Sequence, residues 1–407
     1  MRNVVVPGSK SYTNRALMIG AMTYGPVRLV NPLYADDTNA MIGCLRELGL
    51  LIETNRDHII VHGDIRCIED KTYHLFAHDS GTTVRFLLAL LCIVPGKKVL
   101  SGNKRLRERP IRELVEALRE LGAIIDYCEE EGKLPLHISS SRLFGKSIHL
   151  DGSLSSQFCS ALLLIAPYFT EGFTLTVKDL RAKPYVDMTI QCMQDFGVKV
   201  DSKESGCYQL FPNQWYRCGS YVIEGDFSSA GYFFALAALT KSTICVENIP
   251  RYSLQADRKL LDILEKMGNQ ITFLSRGICL EGKAIAPVQV DMSDCPDQVM
   301  TLAVLAAFAP GVTHISGTSS LRVKETERVV ALKTELGKMG ICTQDSHDTL
   351  FIYGAKPKAA LIETYNDHRI AMAFGVASCV LQGLTIAQPE VVTKTFPMFW
   401  EELKKLR

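Results

Sequence analysis

Residues 9–22 read Ser-Lys-Ser-Tyr-Thr-Asn-Arg-Ala-Leu-Met-Ile-Gly-Ala-Met, a short polar opening that runs straight into an almost wholly apolar stretch. The pattern returns five times. Ser80-Gly81-Thr82 precedes Phe86–Cys92, Ser155-Ser156-Gln157 precedes Ala161–Ala166, and Ser228-Ser229 precedes Tyr232–Leu239. Pro296-Asp297 opens onto Met300–Ala309, and Asp367-His368-Arg369 onto Ile370–Leu381. Successive starts lie about 70 residues apart, the scale of a repeated supersecondary unit. After each of the first five comes a helix with apolar residues at i, i+3, i+4 spacing. Each of these ends near a glycine (Gly49, Gly122, Gly197, Gly268 and Gly340), where a left-handed cap belongs. Phe399–Leu406 closes the sixth copy, and runs such as Ile59-Ile60-Val61 and Leu350-Phe351-Ile352 read as strands. The expected fold class is α/β, with six βα-type units, three in each half. One helix of each pair is apolar all round and buried; the other is amphipathic and covers it. The break between halves falls near Tyr221–Asp226.

The 407-residue length agrees with two halves, since one hydrophobic core stops growing at roughly 250–300 residues. Basic and acidic residues nearly cancel, leaving a net charge of +1. A nucleic-acid binder or polybasic membrane protein carries a stronger basic excess, so neither partner is expected, and any anion site must be a local gathering of cations. The 13 cysteines include no CxxC or CxxH pair, and Cys44, Cys92, Cys159, Cys192 and Cys379 fall in apolar runs. They read as unpaired thiols of a reducing compartment rather than a disulfide framework. Met1–Lys10 turns polar after three valines, and Phe86–Pro95 and Met300–Pro310 are too short to span a bilayer. A soluble, cytoplasmic protein is expected.

The polar openings carry the chemistry. A helix amino terminus offers unpaired N–H groups and a positive dipole end, both of which favour anions. For any single start, Ser or Asp is explained by N-capping alone. Capping does not call for the cations beside these starts: Lys10 and Arg15, Arg85, and Arg369. Lys104-Arg105-Leu106-Arg107-Glu108-Arg109-Pro110 gathers four more ahead of a second-type helix, with Pro110 near its first turn. In Arg322–Arg328, a helical conformation would stack Lys324 and Arg328 at i, i+4, an unfavourable pair. Either Glu325–Arg328 and Lys324–Glu327 relieve it as surface pairs, or an anionic ligand lies against both cations; spacing leaves both readings open. Lys394 lies in a β-like stretch entering the last helix. These residues suggest a cleft for small, multiply anionic, phosphorylated ligands, and they do not name a reaction.

The same motifs, read together, resemble the 5-enolpyruvylshikimate-3-phosphate synthase family along the whole chain. They are Pro7-Gly8-Ser9-Lys10-Ser11 with Asn14-Arg15, Ser80-Gly81-Thr82-Thr83 with Arg85, Glu108-Arg109-Pro110, and Ser155-Ser156-Gln157-Phe158. Lys183-Pro184-Tyr185, Arg322–Arg328, Asn366-Asp367-His368-Arg369 and Lys394-Thr395-Phe396-Pro397 follow in the family's order. The resemblance implies the two-lobed enolpyruvyl transferase fold: residues 9–223 in one lobe, 1–8 plus 224–407 in the other, closing like a clamp about two crossover segments. It implies that Ser11, Arg15, Ser155, Ser156, Gln157, Tyr185, Asp297 and Lys324 hold shikimate 3-phosphate. Lys10, Gly81, Arg109, Gln157, Arg328, Arg369 and Lys394 would hold phosphoenolpyruvate. Asp297 is the expected base at the 5-hydroxyl, with Glu325 and Lys10 serving the other proton transfers of an addition–elimination. No metal or cofactor is expected, the protein is expected to be a monomer, and glyphosate is an expected competitor.

Four positions depart from the family's pattern. Asp79 stands where Asn is frequent, Ala182 where Ser is common, Ser320 where Asn is frequent, and Phe86 where some members have Pro. The related UDP-N-acetylglucosamine enolpyruvyl transferases have Lys-Asn near the start and a reactive cysteine ahead of the second unit's amphipathic helix. Here Lys10 is followed by Ser11, and Ser101–Arg109 holds no cysteine. A repeat scaffold would not need the cations at unit junctions, and an RNA 3′-phosphate cyclase would show a basic surface and a histidine motif.

Overall fold

Each of the six repeats runs strand, apolar helix, strand; in four of them the two strands pair in parallel with each other, and in most repeats a hairpin then extends the sheet. The computed structural model describes residues 2–202 and 206–406. The chain divides into two compact units, Gly8–Ile223, and Met1–Pro7 with Glu224–Arg407. Gly8 falls one residue outside the expected boundary. A Cβ there would meet the Asn31 carbonyl oxygen at 2.0 Å, so glycine lets this point of the chain lie directly on the backbone of its own unit.

In the first unit the inner helices are Lys10–Met22, Gly81–Leu91 and Ser156–Ile165. In the second they are Phe227–Thr240, Val299–Ala307 and His368–Ala377. Each set of three packs on itself, as helices that are apolar around most of their circumference must. Amphipathic helices, among them Asp36–Glu47, Arg112–Glu120 and Arg328–Lys338, lie outside them. The five glycines that close the outer helices all take positive φ, from 78° to 107°. At Gly49 the amide donates to the Arg46 carbonyl, and the next amide reaches back to Leu45.

Four sheets share one order: a strand parallel to its neighbour, then two antiparallel strands. Thr72–Phe76, Lys97–Ser101, Leu136–Ile138 and Ile125–Tyr127 make one such sheet. The third repeat keeps only an isolated Asp201–Gln209 bridge in place of its outer strand, and the sixth is reduced to the parallel pair Leu361–Ile362 and Thr385–Ile386. The first and fourth repeats exchange strands. Arg2–Val4 precedes the Lys10 helix in sequence yet pairs with Thr243–Val246, while Ser220–Val222 precedes the Phe227 helix yet pairs with Gly25–Val30. That exchange is why the chain must pass between units twice.

One cysteine pair departs from the unpaired-thiol reading. Cys245 and Cys279 lie directly opposite each other on adjacent antiparallel strands and are joined as a disulfide. Sequence separation of 34 residues concealed a register that only the hairpin creates. The other eleven are free.

Gly63, Gly282 and Gly354 occupy one repeated position, where a hairpin strand crosses the end of an inner helix. An added Cβ would come within 1.9, 2.0 and 1.9 Å of the carbonyl oxygens of Gly20, Ala237 and Ala309. Gly354→Ala should therefore cost about 3 kcal/mol, the scale of overpacking. Gly337→Ala, in an outer helix with nothing within 4 Å, should gain about 0.5–1 kcal/mol. Urea midpoints of the two variants would test this; equal midpoints would refute the repeated close contact.

Candidate active-site groups in each unit

In the unit Gly8–Ile223, the Ser80 hydroxyl caps the Gly81–Leu91 helix by accepting from the Thr83 amide at 3.3 Å. Ser80 and Thr83 hydroxyls also donate to the Asp37 carbonyl, at 3.3 and 3.2 Å. The Asp37 carboxylate in turn meets Lys10 Nζ at 3.1 Å. Lys10 thus belongs to the same corner as the Gly81 helix start. A Cβ on Gly81 would stand 2.5 Å from Arg85 Nη1 and 2.7 Å from Arg109 Nη1, so this glycine leaves room for two guanidiniums. Arg85 donates to the Gly81 carbonyl and to Gln157 Oε1 at 3.1 and 3.0 Å, and Gln157 Nε2 donates to Thr82 Oγ1 at 3.0 Å. Gly81, Arg85, Arg109 and Gln157 therefore form one group.

The Ser155 hydroxyl caps its helix by accepting from the Gln157 amide at 3.3 Å, and Ser156 is buried beside it. Arg15 is turned inward. It donates to Thr189 Oγ1 at 2.8 Å and to the carbonyls of Ser11 and Tyr185 at 2.9 and 2.8 Å. Burial lowers its pKa. These bonds tie the Ser11 turn to the Lys183–Asp195 helix, whose N-cap Ala182 is in left-handed backbone, φ 53°.

In the other unit the centre is Arg328, whose side chain is 1% exposed. Its Nε donates to Asp367 at 2.8 Å, Nη1 to Asp297 at 3.1 Å and Nη2 to Glu325 at 2.9 Å. Burial alone would lower its pKa; Asp367, Glu325 and Asp297 together override that and raise it. Arg369 holds the second Asp297 oxygen at 2.7 Å and lies 3.5 Å from Ser228 Oγ. Lys394 Nζ is 3.7 Å from Glu325. Burial, then Asp297, pushes the Asp257 carboxyl up to about 6, with Arg369 and Ser228 opposing the rise.

The Arg322–Arg328 segment differs from its helical reading. Ser319–Val323 is a 3-10 turn, Lys324 is extended, and the α-helix begins at Arg328. The Glu327 carboxylate caps that helix by accepting from the Val330 amide at 2.6 Å. Lys324 and Arg328 do not share a helix face, and Glu325, itself half-buried, pairs with the buried Arg328 guanidinium rather than at the open surface. Lys394 ends a 3-10 turn, Pro389–Lys394, and is not in a β stretch. Pro110 precedes the Arg112–Glu120 helix by two residues, while Lys104–Arg107 forms its own helical turn. Asp37, Thr82, Ser228 and Asp257 also touch these groups, although the family resemblance implies no ligand role for them; Thr82 and Ser228 stand in polar helix openings. Asp37 had a signal, since Asp36-Asp37 opens a helix; Asp257 needed the tertiary fold.

The whole chain has close relatives. The model of the family EPSP synthase (3-phosphoshikimate 1-carboxyvinyltransferase) matches residues 2–403. The 3-phosphoshikimate 1-carboxyvinyltransferase of Haemophilus ducreyi is 40% identical over 99% of this chain and 95% of its own length. That of Shewanella pealeana is 37% identical over 98% of this chain and 96% of its own. The solved EPSP synthase of Acinetobacter baumannii has a TM-score of 0.82 at 26% identity, covering 99% of this chain and 95% of that one. With its six repeats, its polar helix starts and its paired arginines on one carboxylate, this chain belongs to the EPSP synthase family, the 3-phosphoshikimate 1-carboxyvinyltransferases.

Proposed function

We propose that the chain moves the enolpyruvyl group of phosphoenolpyruvate to the 5-hydroxyl of shikimate 3-phosphate and releases phosphate, as a cytoplasmic monomer without metal or cofactor. The observation that supports this most directly is Asp297, held by the forks of Arg328 and Arg369. An anionic substrate that takes up those guanidiniums leaves the Asp297 oxygens to accept the hydroxyl proton. Phosphoenolpyruvate carries a carboxylate and a phosphate, both suited to planar forks. We assign its binding to Lys10, Gly81, Arg109 and Gln157, and to Arg328, Arg369 and Lys394.

Shikimate 3-phosphate is assigned to Ser11, Ser155, Ser156, Gln157, Tyr185, Asp297 and Lys324, its phosphate at the Ser156 helix start. Arg15 serves the same ligand by fixing Ser11 and Tyr185, since most of its donors are taken within the protein. The reaction forms a bond from O5 to C2 while C3 gains a proton. The C2–phosphate bond then breaks and C3 returns a proton, restoring the double bond. We assign the transfers at C3 and at the departing phosphate to Glu325 and Lys10; the neighbouring Lys394 and Asp37 support that reading. Positioned acids and bases suffice for these steps. The alternative acceptor, UDP-N-acetylglucosamine, is not favoured by the family match.

Phosphate release should be seen with phosphoenolpyruvate and shikimate 3-phosphate and not with UDP-N-acetylglucosamine; the reverse pattern would refute the acceptor. Asp297→Ala should lower kcat by about 10²–10⁴-fold, with direct binding of shikimate 3-phosphate far less affected; a kcat near wild type would remove Asp297 from the chemistry. Glyphosate should compete with phosphoenolpyruvate. Gly81→Ala, which must displace Arg85 and Arg109, should raise the glyphosate inhibition constant by a larger factor than it lowers kcat. Equal factors would count against Gly81 lining the small-ligand site.

A further inference from the structure

The chain passes between its units only at Pro7–Gly8 and Ile223–Glu224. On the Met1–Pro7/Glu224–Arg407 side, both connections end on one residue. The Asn248 side-chain amide mimics a strand partner for Val6: Oδ1 accepts from the Val6 amide at 2.9 Å and Nδ2 donates to the Val6 carbonyl at 2.6 Å. The Asn248 backbone carbonyl accepts from the Gly225 amide at 3.1 Å. The two connections also bond to each other, with the Asp226 amide donating to the Pro7 carbonyl at 2.9 Å. Gly225 is packed so closely that a Cβ would lie 2.5 Å from the Asn248 carbonyl oxygen and 3.0 Å from its Nδ2. Gln255 closes the other side, donating to the Gly225 carbonyl at 2.8 Å and to Glu224 at 2.7 Å while accepting from the Phe227 amide at 3.0 Å.

We infer that Asn248 is a positioning residue for turnover: it locks Val6–Pro7 and Gly225–Asp226 into one register, so that neither connection shifts without the other. What leaves this junction is chemically specific. Three residues beyond Pro7 begins the helix that carries Lys10. One residue beyond Asp226 begins the helix that carries Ser228, which lies against Arg369. Asn248 touches none of these groups and acts only through the two backbone segments. The inference rests on the assignment of Lys10 and Arg369 to the reaction. Of the groups assigned to shikimate 3-phosphate, Ser11 and Arg15 share the helix of Lys10, while the larger set, Ser155, Ser156, Gln157, Tyr185, Asp297 and Lys324, follows directly from neither segment and keeps most of that ligand's affinity.

The test uses the full chain. Asn248→Ala removes both amide bonds and should lower kcat about ten-fold, the loss expected for two hydrogen bonds. The calorimetric affinity for shikimate 3-phosphate should stay within about two-fold, with a stoichiometry unchanged from wild type, which separates lost positioning from lost folded protein. Gly225→Ala should lower kcat in the same way, and the double variant should lose less than the product of the two, because both act on one junction. Asn3→Ala removes only the neighbouring surface bond to Glu247 and should leave kcat unchanged. If Asn248→Ala does not fold, Gly225→Ala alone carries the test. Unchanged kcat, a parallel fall in shikimate 3-phosphate affinity, or fully multiplicative losses would each overturn the inference. Failure of the wild type to bind shikimate 3-phosphate would instead overturn the proposed function.

Discussion

A helix that is apolar around most of its circumference cannot be covered by its own repeat. One sheet and one amphipathic helix enclose only part of it, and the remaining surface must meet other helices of the same kind. Three such helices pack together in each unit here, and nearly every residue of each is buried. Their first turns are the exception in chemistry, because backbone N–H groups there need partners whatever surrounds them. The burial that organises the fold thus also gathers polar helix starts within each unit: Lys10, Gly81 and Ser156 in one, Ser228, Asp297 and Arg369 in the other.

The capping side chains are largely consumed at those starts, by Ser80, Ser155, Asp226 and Asp367. What is left for a ligand is mainly cationic, and it is balanced in the free protein by carboxylates. Arg328 could not be buried without Asp297, Glu325 and Asp367, since an unpaired charge at that depth is very costly. On the proposed assignment, the same pairs keep Asp297 occupied until a competing anion arrives, so the electrostatics of the resting state and the readiness of the base would be one set of contacts.

Much of the fold was legible from spacing: the period of about 70 residues set the six helix starts, and the closing glycines carried positive φ because each outer helix ends in the same turn. The failures have local causes. Arg322–Arg328 looked helical because its charges fall at helical intervals, yet the Glu327 cap delays the helix to Arg328 and turns Glu325 inward. Lys394 looked β-like from its threonine and valine neighbours, but Pro389 opens a 3-10 turn instead. Cys245 and Cys279 meet through a hairpin register, and the Arg2–Val4 strand joins a distant sheet; periodicity carries neither fact. The names of the substrates came from the family likeness, because helix starts and arginines specify anions without specifying which.

The exchange of strands between the first and fourth repeats has a consequence for how the molecule comes into being. On the ribosome, Gly8–Ile223 is a contiguous stretch and can complete its sheets as soon as Ser220–Val222 has emerged. Arg2–Val4, the first strand made, has no partner until Thr243–Val246 follows it much later. A break in the gene between Ile223 and Glu224 would not separate two complete folding bodies. It would leave Arg2–Val4 on the first fragment, so the second would need that strand supplied in trans to complete the Thr243–Val246 sheet.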